Sequence, residues 1–154
     1  MMYEEIEFHF KSPADSPGYR LGQVTMLWQR KQKRVLDPLN LTQTQLVLMA
    51  ALAWLSKKSD AVTQVDIANQ SNADRMMVSK VLRTLQEKGF ITRQEHKTDT
   101  RAKTIKLTTD GGRVLQKALI EIERADLAFF NTLKEDVSLF NKHMMQLIEK
   151  NKDI

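Results

Sequence analysis

The chain contains no cysteine. Disulfide staples, thiolate metal sites and thiol-based redox sensing are excluded, and an intracellular, cytoplasmic setting is the default expectation. Histidine is scarce: His9, His96 and His143 lie far apart, with none of the close spacing that metal ligation requires. The few glycines form neither a phosphate-cradling loop nor a Gly-x-Ser-x-Gly nucleophile turn, and Gly111-Gly112 stands where a helix is expected to begin. An enzyme, a metal and a cofactor are therefore not expected. Long apolar runs are missing as well. The longest, Leu46 to Leu55, falls well short of the roughly 18 residues of a membrane span. The N-terminus begins acidic and lacks the apolar core of a secretory signal, so a soluble protein with no membrane partner is expected.

What is present is an ordinary globular composition, 42% hydrophobic and 28% charged over 154 residues, enough for one domain with a real core. The net charge of +5 is not spread evenly. Between Asn72 and Leu107 nine basic residues face four acidic ones, a local excess of +5, so the rest of the chain sums to zero. A compact positive patch is what phosphate neutralisation needs, because each cation meeting a phosphate releases condensed counterions.

Residues 1–18 begin with alternation, Ile6, Phe8 and Phe10 apolar between polar neighbours, and pass into the turn-rich Ser12-Pro-Ala-Asp-Ser-Pro-Gly18. The alternation predicts an extended arm, and the two prolines argue against a helix through the second part. An arm on a partner subunit and a frayed tail fit equally well. From Tyr19 to Leu36, Leu21, Val24, Leu27, Trp28, Val35 and Leu36 recur at helical spacing, opposite Arg20, Arg30, Lys31, Lys33 and Arg34. Such a basic amphipathic helix suits a membrane surface or a packing role; packing is favoured because further apolar helices follow. Thr42-Gln-Thr-Gln45 has the form of a capping box before the central, buried helix predicted over Leu46 to Leu55. Trp54 and Trp28 read as core. Thr63-Gln-Val-Asp66 is a second capping pattern, opening a short helix that Ser71-Asn72 interrupts.

Asn72 to Lys88 is the next helix, capped by Ser71 or Asn72 and stopped at Gly89. Val78, Val81, Leu82 and Leu85 fall on one stripe and predict its buried side. The opposite sector holds Asn72, Ala73, Met76, Lys80 and Arg83, flanked by Met77, Ser79 and Thr84. A solvated helix would also be polar there, but Met76 is out of place on such a face unless something covers it, and thymine methyl groups are one such cover. Phe90 to Arg93 and Thr104 to Leu107 then predict a two-stranded ribbon, with Ile91, Ile105 and Leu107 inward and a cation-rich tip between. Helix, tight turn, helix and ribbon make the outline of a winged helix-turn-helix. Beyond Thr109, two long helices carry apolar stripes, one through Val114, Leu115, Ala118, Leu119, Ile122, Ala125, Phe129, Phe130 and Leu133, the other through Val137, Phe140, Met144, Leu147 and Ile148.

Leu85-Gln-Glu-Lys-Gly-Phe-Ile-Thr-Arg93, Asp99-Thr-Arg-Ala-Lys103 and Leu107-Thr-Thr-Asp-Gly111, in this order and spacing, resemble the MarR family of bacterial transcription regulators. The likeness extends over most of the chain after residue 16 and includes the Asn40-Leu-Thr-x-x-Gln45 lead into the central helix. It implies a mainly α fold with a small β-wing, divided into an N-terminal arm (1–18), a helical dimerisation region (19–40 and 109–154) and a winged helix-turn-helix DNA-binding region (41–108). It also implies a homodimer that binds double-stranded DNA and, as the favoured sense of regulation, represses. Arg101 resembles the wing arginine of the minor groove and Asp99 the acid that supports the wing; Met77 departs from the family's frequent Ser or Thr.

The expected DNA-binding residues are Asn72, Arg75, Met76, Met77, Ser79, Lys80, Arg83, Lys97, Arg101 and Lys103, with Asn72 and the helix N-terminus offering backbone amides to a phosphate. The resemblance further implies control by a small aromatic or amphipathic ligand between the dimerisation helices and the DNA-binding lobe. Trp28, Trp54, Phe129 and Phe130 are the residues placed to line its pocket, although large aromatic side chains more often serve as plain core. A winged helix that binds another protein or RNA, without ligand control, is the alternative.

Overall fold

The computed structural model describes residues 4–95 and 103–153. A 3-10 turn, Pro13–Asp15, leads into the first helix, α1 (Pro17–Leu36), whose cap is Ser16, its Oγ accepting from the Tyr19 amide. No helix runs through the whole proline-bearing piece, as expected, but α1 begins inside it, two residues before Tyr19. Pro17 occupies the first helical turn, where a missing N–H costs nothing and a fixed φ is already helical. A second 3-10 turn, Asp37–Leu39, closes α1 at Pro38, and Asn40 reverses the chain with φ 54°.

The capping box before α2 (Gln43–Ser56) is complete: the Gln45 amide donates to Thr42 Oγ1 and the Thr42 amide to Gln45 Oε1, both at 3.1 Å. Helix α2 buries Leu46, Leu48, Met49, Ala51 and Leu52, but not its whole circumference, since Val47 and Trp54 are exposed. Thr63 and Asp66 form the second box, opening α3 (Gln64–Ser71). Helix α4 (Arg75–Glu87) follows after a short turn, and Gly89 with φ 79° turns the chain into the wing.

Strands β1 (Ile91–Glu95) and β2 (Lys103–Leu107) pair antiparallel, Ile91 opposite Leu107 and Arg93 opposite Ile105. The ribbon thus starts one residue later than the sequence suggested, because the Phe90 amide and carbonyl serve the turn instead. One further tie has no local signature in the chain: the Ile105 amide donates to Val62 O at 2.8 Å and Thr104 bridges Thr63, so the wing is stitched to the lead-in of α3.

The junction from wing to α5 (Thr109–Phe130) explains the Leu-Thr-x-x-Gly pattern physically. Thr108 Oγ1 accepts from the Gly111 amide at 3.0 Å and donates to Gly89 O at 2.6 Å, while the Thr108 amide donates to Phe90 O. Gly111 packs so closely beneath this loop that a Cβ there would collide with the Phe90 carbonyl. A 3-10 stretch, Asn131–Asp136, then joins α5 to α6 (Val137–Asn151).

One core unites these pieces. Leu36 from α1, Leu48, Met49 and Leu52 from α2, Ile67 from α3, Val78, Leu82 and Leu85 from α4, and Ile91 and Ile105 from the ribbon are fully buried, with Leu115 and Ala118 of α5 beside them. Helix α6 buries no residue completely. Among the described residues no helix is long and apolar enough to cross a membrane.

Replacing Gly111 by Ala is expected to cost about 1–3 kcal/mol through forced displacement of the Phe90 carbonyl. Thermal unfolding at matched protein concentration checks this: Tm should fall by several degrees, and an unchanged Tm contradicts the close approach.

Candidate nucleic-acid interface

Helix α4 owes its orientation to its apolar stripe. With Val78, Leu82 and Leu85 fully buried and Val81 partly so, the opposite side is forced into solvent. Arg75, Met76, Lys80 and Arg83 are exposed there, Met76 at 83%; Met77 lies at the edge of the face, and Ser79 is half-buried. Met76 is thus an apolar side chain surrounded by cations and left in water, as its position in the sequence suggested.

The start of α4 differs from expectation. The helix begins at Arg75 and its cap is Asp74, whose Oδ1 accepts from the amides of Met76 at 2.9 Å and Met77 at 3.1 Å. Neither Ser71 nor Asn72 caps it. Asn72 instead ends α3 in the left-handed region with φ 52°, and Ser71 Oγ donates back to Ile67 O. A phosphate seat on free amides at this helix end, with Asn72 beside it, is therefore corrected: the Met76 and Met77 amides are already taken, by a carboxylate that repels phosphate. Periodicity alone could not separate Asn72 from Asp74, since both are good caps within one turn of the apolar stripe.

Among the described residues of the basic segment, Lys88 and Arg93 are committed to the protein. Lys88 Nζ donates to Asn40 O at 2.6 Å and to Gln45 Oε1 at 3.1 Å, fastening the end of α4 to the start of α2. Arg93 is half-buried under α4, its Nη2 donating to Ser79 O at 3.4 Å. Burial, and then the nearby Arg83 cation, lower the pKa of its guanidinium from the ordinary value. An arginine nevertheless stays charged, so Arg83 and Arg93 together concentrate positive potential beside the helix. The sequence carried a signal for Arg93: two residues after the inward Ile91, it lies on the same side of the strand.

Lys103 opens β2 and is exposed, opposite Glu95 in the register. Lys97, Asp99 and Arg101 lie outside the described residues.

The aromatic residues divide. Trp28 of α1 meets Phe129 at 5.3 Å and Phe130 at 5.6 Å between ring centroids, and Phe130 continues to Phe140 of α6 at 6.1 Å. Trp54 does not join them. It is 60% exposed on α2 with Lys57 Nζ 4.7 Å above its ring, so its readings as core and as a companion of Trp28 and Phe129 are both corrected. A groove of about 520 Å³ runs between α5 and α6, lined in part by Leu127, Phe130, Val137, Phe140 and Met144.

A helix-turn-helix followed by a hairpin, with cations and an exposed methionine on its second helix, defines a winged helix-turn-helix protein. The comparisons agree. The ArnR1-like winged-helix domain family matches residues 37–126. YdcH of Bacillus subtilis (strain 168), an uncharacterized HTH-type transcriptional regulator, is 40% identical over 127 residues, covering 81% of this chain and 86% of its own. Among solved structures, MepR of S. aureus in complex with DNA superposes with a TM-score of 0.77 at 23% identity, covering 90% of this chain and 98% of that one. BpsR of Bordetella bronchiseptica, whose DNA binding is regulated by 6-hydroxynicotinic acid, gives 0.78 at 18%, covering 93% and 97%. Both are MarR-family regulators. The chain belongs to the winged helix-turn-helix family of transcriptional regulators and has the MarR-type fold.

The exposure pattern of α4 carries a direct check. Met76→Ala is expected to leave stability within about 0.5 kcal/mol of wild type, whereas Leu82→Ala should cost about 2–5 kcal/mol in chemical denaturation. Similar losses for both would mean that α4 is rotated from this orientation.

Proposed function

We propose that the protein is a sequence-specific double-stranded DNA-binding repressor that acts as a homodimer on a pseudo-palindromic operator and is released by a small ligand. The observation that carries this reading is the water-facing side of α4, where Arg75, Lys80 and Arg83 surround the uncovered Met76. Cations at the edges of such a helix neutralise phosphates, while Met76 and Met77 offer apolar contact to thymine methyls in the major groove. Ser79 is half-buried but hydroxyl-bearing, and contributes a hydrogen bond to base or phosphate. Lys97 and Lys103 add positive charge for DNA and Arg101 is assigned to the minor groove, with Asp99, by the family resemblance, the acid that supports the wing; Asn72 contributes through its exposed amide side chain.

Residues 41–108 form the DNA-binding region in this reading, and 19–40 with 109–154 the dimerisation region, with 1–18 as an arm. Exposed Leu21 and Leu27 of α1, Leu127 of α5, and Leu147 and Ile148 of α6 support a second copy as their cover. Two-fold symmetry then sets the half-sites about one helical turn, roughly 10 bp, apart. The likeness to BpsR supports ligand control, and Trp28 and Phe129 are the aromatic pair placed to take part.

Lys80→Ala and Arg83→Ala are each expected to weaken binding to all duplex sequences alike and to lower the slope of log K against log salt by about one. Fluorescence anisotropy on promoter DNA across a salt series reads both. Unaltered affinity and slopes in both variants would contradict this face of α4 as the DNA contact, and no binding of the wild type to duplex would point to a protein or RNA partner instead.

A further inference from the structure

Asp74 is the unexpected group on this surface. An acidic side chain at the start of the helix that carries Arg75, Lys80 and Arg83 weakens phosphate contacts close to it, and helix capping alone does not require a charge, since a serine hydroxyl caps as well. Its geometry leaves something over. Oδ1 takes both the Met76 and Met77 amides, whereas Oδ2 has no hydrogen-bond donor among the described residues, and the side chain is exposed one residue before the helix.

Resting on the DNA-binding reading above, we propose that Asp74 is a specificity-determining residue whose Oδ2 accepts from the exocyclic amino group of a cytosine in the major groove. The chemistry favours that base. A recognition helix of this kind meets base edges with its N-terminal residues. Guanine and thymine turn acceptor oxygens to the groove, which a carboxylate repels. Adenine offers an amino group but sets the N7 acceptor beside it. Cytosine presents N4 as a donor with no neighbouring acceptor on its own edge. The two amide bonds at Oδ1 fix the carboxylate in place, so its second oxygen is held ready and little side-chain freedom is lost on binding. Asp74 thus lowers affinity for DNA in general and restores it only where an amino group is correctly placed. That widens the ratio of specific to non-specific binding, which is the quantity that decides occupancy in a genome.

The test compares wild type with Asp74→Ser, which keeps a cap but removes the charge, after confirming that both unfold at similar temperatures. Each is used to select from a pool of duplexes randomised over about two helical turns. Wild type should enrich a motif with cytosine at one position in each half-site. The variant should keep the rest of the motif, lose about tenfold discrimination at that position and bind unrelated duplex several-fold more tightly. Adenine in place of cytosine at that position of the wild-type motif overturns the choice of base, and identical motifs from the two proteins overturn the role of Asp74 while leaving the DNA-binding reading intact. A wild-type pool with no enriched motif overturns both.

Discussion

Burial of Val78, Leu82 and Leu85 is the constraint from which the functional surface follows. These three side chains fix the rotation of α4 about its own axis, and rotation decides what meets solvent. One residue of slip would carry Met76, Lys80 and Arg83 toward the core and bring apolar side chains into water. The packing that stabilises the fold and the exposure on which the proposed recognition rests are therefore two sides of one helix, fixed by a single apolar stripe.

Around that stripe the neighbouring elements are tied to α4 at both ends. Asp74 closes its N-terminus, and Lys88 fastens its C-terminus to Asn40 and Gln45 at the mouth of α2. Arg93 supports it from beneath through Ser79 O. The wing is held in turn by Thr108, Gly89 and Gly111 on one side and by Val62 on the other. In the proposed dimer, a helix tied in at both ends in this way would move as a body with the lobe that carries it, so that a change at the proposed dimerisation helices would alter the separation of two such helices without deforming either.

Much of this was legible in the chain. The capping boxes at Thr42 and Thr63 have short-range signatures that tertiary packing does not override, and both form as written. The helical stripes and the ribbon were legible from local periodicity, and the Leu-Thr-x-x-Gly junction from its resemblance to the family pattern. What escaped was the choice between chemically equivalent neighbours, Asn72 against Asp74, and every contact made across a long sequence separation, such as Lys88 to Asn40 or Ile105 to Val62. Trp54 shows a further limit: an aromatic residue in an apolar helix invites a core assignment, but a short helix surrounded on only part of its circumference must leave some residue outside.

The most direct measurement of the central claim is equilibrium binding of the purified wild-type protein to duplex DNA from its own promoter region, with single-stranded RNA of the same sequence as competitor. A protein that presents α4 to the major groove should bind one duplex in preference to scrambled controls, resist the RNA, and lose affinity steeply and linearly in log salt. Failure to bind any duplex at low salt, or displacement by the RNA at equal concentration, would contradict it.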